Sequence, residues 1–278
     1  MSLKMYGEKN LNKIQNIIGV LGGKGGVGKS TVTVNLALAL KKQGRRVGIL
    51  DADVYGPSIC HLLGNESLPR QVGTEVVPAE MKGLSVMSVA FFQKEKEASV
   101  VRAPIANQII HQFLNEIDWG DLDDLLIDFP PGTGDIQITL MQKARMDGVV
   151  IVTTPQEVAL LDVRKSMQMC HQMGVPIFGV VENMSYFIHK DERHALFGEG
   201  GGKLLADECD APLLGQIPID TEISRTGDEG LSLFETDAIS CLSFEEVSTR
   251  LMSKLEVLKK TDSKKSQKEW DWNHDCDS

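Results

Sequence analysis

The chain has 278 residues, of which 42% are hydrophobic and 24% charged, with a formal net charge of −10. A chain of this length buries a core without covalent or metal staples, and its acidic balance excludes a general nucleic-acid surface, which needs clustered Lys and Arg. No stretch reaches the roughly 18 apolar residues of a membrane-spanning helix, and residues 1–15 are polar, without the apolar centre of a secretory signal.

The residues 17–21 form a short apolar run ending in glycines, read as a buried parallel strand. Helical spacing of Val32, Leu36 and Leu40 predicts a helix over 30–43, stopped by Gly44. A second strand is expected at 46–50, closing on Asp51, so the first fifty residues read as a β-loop-α-β unit with a right-handed crossover. Further strands are expected at 84–90, 122–127, 148–153, 177–181 and 213–217, and further helices at 106–115 and 158–173. This alternation predicts an α/β fold, a three-layer α/β/α sandwich around a mostly parallel sheet. The stretch 64–82 shows no clear period and reads as a long surface connection. Residues 185–202 read as a charged, Gly-rich loop, of the length that is often functional or mobile. Three parts are expected: a polar segment 1–15, one catalytic domain 16–253, and a flexible charged tail 254–278.

Five cysteines, Cys60, Cys170, Cys209, Cys241 and Cys276, are scattered without a Cys-x-x-Cys pair. With no signal peptide they read as reduced thiols of a cytoplasmic protein. Cys60 and Cys170 fall in helical segments and are expected to be buried and inert.

Gly23-Lys24-Gly25-Gly26-Val27-Gly28-Lys29-Ser30 satisfies G-x-x-x-x-G-K-S/T between a strand and a helix, as a phosphate-binding loop requires. Glycines permit backbone conformations that turn successive N–H groups inward, and the helix N-terminus adds to that anion nest. The nucleotide-binding set is expected to be Gly22, Gly23, Lys24, Gly25, Gly26, Val27, Gly28, Lys29, Ser30 and Thr31. Lys29 would reach the outer phosphates of ATP, and Ser30 would ligate Mg²⁺. Lys24 is a second loop lysine, suited either to solvent or to phosphate charge across a dimer interface.

Two strands end in aspartates on the sheet edge where α/β folds bind ligands. Asp51-Ala52-Asp53 follows one; Asp128 follows Leu125-Leu126-Ile127 in a Walker-B arrangement. Asp53 and Asp128 join Ser30 as expected Mg²⁺ ligands. Asp53 is also expected to orient or deprotonate the attacking water, with Lys24 and Lys29 as the other catalytic residues. The turn from Phe129 to Asp135 could sense the γ-phosphate.

These residues resemble a known group. The stretch from Lys24 to Thr31 is similar to the deviant Walker A motif of MinD/ParA-type ATPases. With Asp51-Ala52-Asp53-Val54-Tyr55-Gly56-Pro57-Ser58, the segment from Asp128 to Asp135, and Glu182-Asn183-Met184-Ser185-Tyr186-Phe187, the chain closely resembles the Mrp (ApbC-like) iron–sulfur cluster carriers over about residues 17–233. The resemblance implies a homodimer in which Lys24 reaches the partner subunit. Asn183 and the segment carrying Pro218 and Asp220 would lie near the adenine. It further implies ATP-dependent transfer of a 4Fe–4S cluster to apoprotein acceptors, with iron–sulfur assembly proteins as partners; the charge balance and the lack of a long apolar stretch lead us to expect neither nucleic acid nor membrane among them.

One departure stands out. Members of that family usually carry Cys-Pro-x-Cys between the Asn-Met-Ser-Tyr-Phe segment and a Phe-Gly-x-Gly-Gly stretch. The second landmark is present as Phe197-Gly198-Glu199-Gly200-Gly201, but residues 188–195 contain no cysteine. His189 and His194 are the remaining metal-capable side chains there, and two histidines in a charged loop read more readily as solvated than as ligands. Cys276 would act only by folding back. The alternatives to a carrier are a MinD/ParA-like positioning ATPase and a nucleotide-binding scaffold without a cluster.

Overall fold

The computed structural model describes residues 11–92 and 103–274. In chain order they form β1 (Ile14–Gly22), α1 (Lys29–Lys42), β2 (Val47–Asp51), α2 (Ile59–Leu63), β3 (Arg70–Val72), β4 (Glu75–Val77), β5 (Ala79–Met81) and β6 (Leu84–Ser88). Then come α3 (Ala103–Glu116), β7 (Leu122–Asp128), α4 (Asp135–Lys143), β8 (Gly148–Thr153), α5 (Glu157–Met173) and β9 (Ile177–Glu182). The chain continues through β10 (Phe187–His189), β11 (Glu192–His194), α6 (Gly201–Glu208), β12 (Leu213–Gln216), α7 (Thr221–Glu229) and α8 (Ile239–His274).

Eight strands form one sheet in the order β12-β9-β8-β1-β7-β2-β6-β5. Every pairing is parallel except β5 with β6. The strands are apolar throughout because both faces are covered. Their alternation sorts side chains between two cores. Ile17 and Leu21 of β1, Leu125 and Ile127 of β7, and Val149 and Ile151 of β8 pack with α3, α4, α5 and α6. Ile18 and Val20, Leu126, and Val150 and Val152 pack on the opposite face with α1, α2 and α8. This is the expected three-layer sandwich. The central strand β1 has β7 on one side and β8 on the other. Successive connections therefore diverge there, opening the crevice in which such sheets bind ligands.

The structure differs from the sequence reading in three places. The stretch 64–82 contains the β3–β4 hairpin and the antiparallel edge strand β5; three-residue strands are too short to register as a period. Within 185–202, β10 and β11 form a second hairpin with Phe187 opposite His194 and His189 opposite Glu192. Its turn residues Lys190 and Asp191 have φ of 50° and 66°, the left-handed pair of a type I′ turn. Finally, α8 continues through the stretch read as a flexible tail, as far as His274. Leu251 and Leu255 of this helix are buried, and the Lys-, Gln- and Glu-rich sequence beyond favours its continuation. Cys276 lies outside the described residues.

Candidate nucleotide site

The loop between β1 and α1 is fixed from below by contacts only glycine allows. A Cβ on Gly23 would lie 2.3 Å from the Val163 backbone nitrogen of α5. Gly28 has φ of 80°, and a Cβ there would meet Asn183 Nδ2 at 2.2 Å. Gly22 is buried, and its own Cβ would press on Val27. No side chain caps the start of α1, which leaves first-turn N–H groups to an anion.

Beneath the loop, Asp128 gathers the polar side chains of α1. Its Oδ1 accepts from Lys29 Nζ at 2.7 Å and from Thr33 Oγ1 at 2.9 Å; its Oδ2 accepts from Ser30 Oγ at 2.6 Å. Asp128 is fully buried, and Lys29 is 6% exposed. A buried carboxylate of this kind is tolerable because an ammonium and two hydroxyls replace its hydration. The Walker-B acid, the loop lysine and the expected Mg²⁺ hydroxyl therefore form one unit.

Asp51 sits beside it, since Asp51 and Asp128 are direct neighbours in the β2–β7 register. Burial, and then the Asp128 charge, push the Asp51 carboxyl up to about 7. It accepts from Ser88 Oγ at 2.8 Å and from the backbone N–H of Asp53 at 3.2 Å. Asp53 lies further out. Its Oδ1 accepts from the N–H groups of Tyr55 and Gly56, at 3.3 and 3.1 Å, which holds the turn after β2 in a fixed shape. Burial raises the Asp53 carboxyl above the usual range, and Lys29 opposes part of that rise.

Two adjoining cavities open above these groups. One, of about 250 Å³, is lined by residues 24–31 with Asp53, Ser58 and Pro131. The other, of about 500 Å³, is bordered by Leu62, Met184, Phe197, Pro218 and Ile223, with Asn183 and Asp220 at its polar points. Gly28 and Thr31 line both. A smaller polar cavity beside the loop thus joins a larger, mostly apolar one, at the scale usual for small-molecule sites.

The structure brings together Lys24, Lys29, Ser30, Thr31 and Asp53 around the smaller cavity, and Asn183, Pro218 and Asp220 around the larger. Asp128 supports the first from below. Two polar residues are already engaged. Asn183 Nδ2 donates to the Val27 carbonyl at 2.9 Å, and Asp220 caps α7 through the Glu222 N–H while accepting from Ser240 Oγ. Lys24 forms no ion pair among the described residues. Sequence reasoning missed Thr33, Ser88, Leu62 and Gln137, whose Nε2 holds the turn after β7 by donating to the Pro130 and Pro131 carbonyls. No local motif marks them; only tertiary proximity does. It treated Phe197 only as a landmark, although that residue forms a wall of the larger cavity.

The residues expected to bear metal are all oxygen donors, suited to Mg²⁺. Among the described residues no three His, Cys, Asp or Glu side chains converge as a metal-binding group; of the three expected Mg²⁺ ligands, Ser30 and Asp53 line the smaller cavity and Asp128 lies beneath it, bonded to Ser30. Cys60, Cys170 and Cys241 are buried. Burial pushes the Cys60 thiol up to about 11 and the Cys170 thiol to about 12. No helix among the described residues is long and apolar enough to cross a membrane.

Comparisons with known proteins place the chain in a family. The family described as ParA, NUBPL iron-transfer P-loop NTPase, matches residues 13–254. The iron–sulfur cluster carrier protein of Methanocaldococcus jannaschii is 42% identical over 254 residues, covering 89% of this chain and 88% of that protein. The carrier proteins of Synechocystis sp. and Escherichia coli are 45% and 44% identical, covering 81% and 82% of this chain but 66% and 63% of their own lengths. The chain thus spans just under two thirds of the length of those two relatives. A nucleotide-binding protein from Archaeoglobus fulgidus, solved in complex with ADP, is 40% identical with a TM-score of 0.73, covering 84% of this chain and 93% of that one. The cell division ATPase MinD of Pyrococcus furiosus, at 21% identity and a TM-score of 0.64 over 86% of this chain and 99% of that one, shares the fold. Phosphate loop, Walker-B acid, sheet order and sequence matches together show that the chain belongs to the ParA-type NUBPL iron-transfer P-loop NTPase family.

Proposed function

We propose that this chain binds and hydrolyses ATP with Mg²⁺ and uses the cycle to deliver iron–sulfur clusters to acceptor apoproteins. The observation that carries the reading is the convergence of Lys29, Ser30 and Thr33 on buried Asp128 beneath a cavity lined by the Gly-rich loop. Lys29 would neutralise the outer phosphates, and Ser30 and Asp128 would hold Mg²⁺, which would supply charge stabilisation for phosphoryl transfer. Asp53, fixed by its turn and raised by burial, takes the place of the base that orients water. The apolar cavity beside Pro218 and Phe197 receives the adenine.

The chain works as a homodimer in the reducing cytoplasm on this reading, with Lys24 serving the second copy's nucleotide. Exposed Val158 and Leu161 support such a face. They lie on α5, whose backbone at Val163 abuts Gly23 of the loop. The cluster is cargo. With no cysteine in the β10–β11 hairpin and three of the four described thiols buried, its ligands come in part from acceptor or assembly proteins.

Phosphate release by the wild-type chain and by Lys29→Ala tests the ATPase. The wild type is expected to turn over with Mg²⁺ and the variant to lose at least about a hundredfold; equal near-zero rates would leave only a nucleotide-binding scaffold. Anaerobic reconstitution, read by absorbance and iron count in the wild type and Cys276→Ser, tests the source of ligands. A stable cluster on both alone would contradict ligand supply by partners.

A further inference from the structure

Glu182, the last residue of β9, is fully buried and makes no ion pair among the described residues. A buried carboxylate without a cation needs donors on both oxygens, and the donors it has come from separate places in the chain. Oε1 accepts from Ser185 Oγ at 2.6 Å and from Gln216 Nε2 at 2.7 Å; Oε2 accepts from the Gly202 N–H at 2.5 Å. Ser185 and Gly202 are the two roots of the segment that carries the β10–β11 hairpin. One carboxylate therefore closes the neck of that segment. The closure is tight, since a Cβ on Gly202 would lie 2.7 Å from the Glu182 Cβ.

The same segment touches the nucleotide site twice. Asn183, next in sequence to Glu182, holds the Val27 carbonyl of the phosphate loop. At the far end, Leu196 and Phe197 form a wall of the larger cavity, although 58% and 38% of their surface remains exposed. An occupant of that cavity would cover apolar surface on Leu196 and Phe197 and so favour their position as its wall. With the neck of the segment pinned, a displacement at Phe197 cannot be absorbed at the roots and reaches the hairpin.

We propose that Glu182 is a positioning residue that couples nucleotide occupancy to the β10–β11 hairpin. The inference rests on nucleotide binding at the loop described above.

Hydrogen–deuterium exchange with and without Mg-ADP, in parallel with nucleotide affinity, tests it in the full chain. In the wild type, nucleotide is expected to slow exchange over residues 187–200 by about tenfold. Glu182→Gln replaces one acceptor oxygen by an amide that faces a donor. It is expected to bind Mg-ADP within about threefold of wild type while losing the hairpin response. Ser185→Ala removes one neck bond with little disturbance and is expected to weaken the response, so the test stands even where Glu182→Gln fails to fold. Full protection of the hairpin in both variants, or none in a wild type that binds nucleotide, would overturn the coupling alone. No binding of Mg-ADP by the wild type would remove the nucleotide reading, and the coupling with it.

Discussion

Lys29 Nζ lies 2.7 Å from Asp128 Oδ1, and both side chains are buried. Ser30 and Thr33 complete the carboxylate's shell. Replacing Asp128 by Asn leaves the ammonium buried without its counter-charge, a change that typically costs about 3–5 kcal/mol. Asp128→Asn is therefore expected to lower stability in denaturant titrations by that order and to abolish Mg²⁺-dependent phosphate release. A variant as stable and as active as the wild type would show the pair to be dispensable.

Gly28 is constrained in two ways at once. Its φ of 80° carries a cost for any side chain, and its Cβ direction is filled by Asn183. Gly28→Ala is expected to lose about 1–3 kcal/mol of stability and to weaken nucleotide binding by about tenfold or more. Asn183→Ala in the same chain should recover only part of the stability, because it removes the clash and leaves the backbone strain. Complete recovery in thermal melts would mean that the clash alone matters.

The thiols of Cys60 and Cys170 are raised to about 11 and about 12 by burial. The direction follows from a thiolate losing solvation in an apolar surround. Both stay protonated at pH 8, with a thiolate fraction of about one in a thousand or less. Alkylation of the folded chain at pH 8 is expected to spare these two and to label Cys209, which is only partly buried, first among the described thiols. Raising the pH to 9.5 increases the thiolate fraction without exposing the sulfur, so labelling of Cys170 should still await unfolding. Rapid stoichiometric modification of native Cys170, read by peptide mass spectrometry, would contradict its burial.

Lys190 and Asp191 occupy left-handed positions that Asn and Gly accept more readily. The double change Lys190→Asn, Asp191→Gly is expected to raise Tm by about 2 °C, the shift that ~1 kcal/mol gives in a chain of this size. A fall in Tm would show that the hairpin is not held in a type I′ turn.

Much of the site was legible in the sequence because the chemistry demands contiguous residues. A phosphate loop must join a strand to a helix within a few residues, so residues 23–30 announced both the motif and its place. Asp51, Asp53 and Asp128 could be read from their position after apolar runs. Asn183 was legible as belonging to the site but not in its role: its amide supports the Val27 carbonyl, a contact across more than 150 positions that no local pattern encodes.

The sequence by itself determined the sandwich, the phosphate loop and the absence of cysteine between Phe187 and Phe197, because these rest on local periodicity, motif and composition. Tertiary structure alone decided that Asp128 collects three side chains of α1, that Phe197 lines the larger cavity, and that Glu182 ties Ser185 to Gly202. Those relations depend on which strands become neighbours in the sheet. That order is set by the global burial of two apolar faces, to which every strand contributes and which no single segment records.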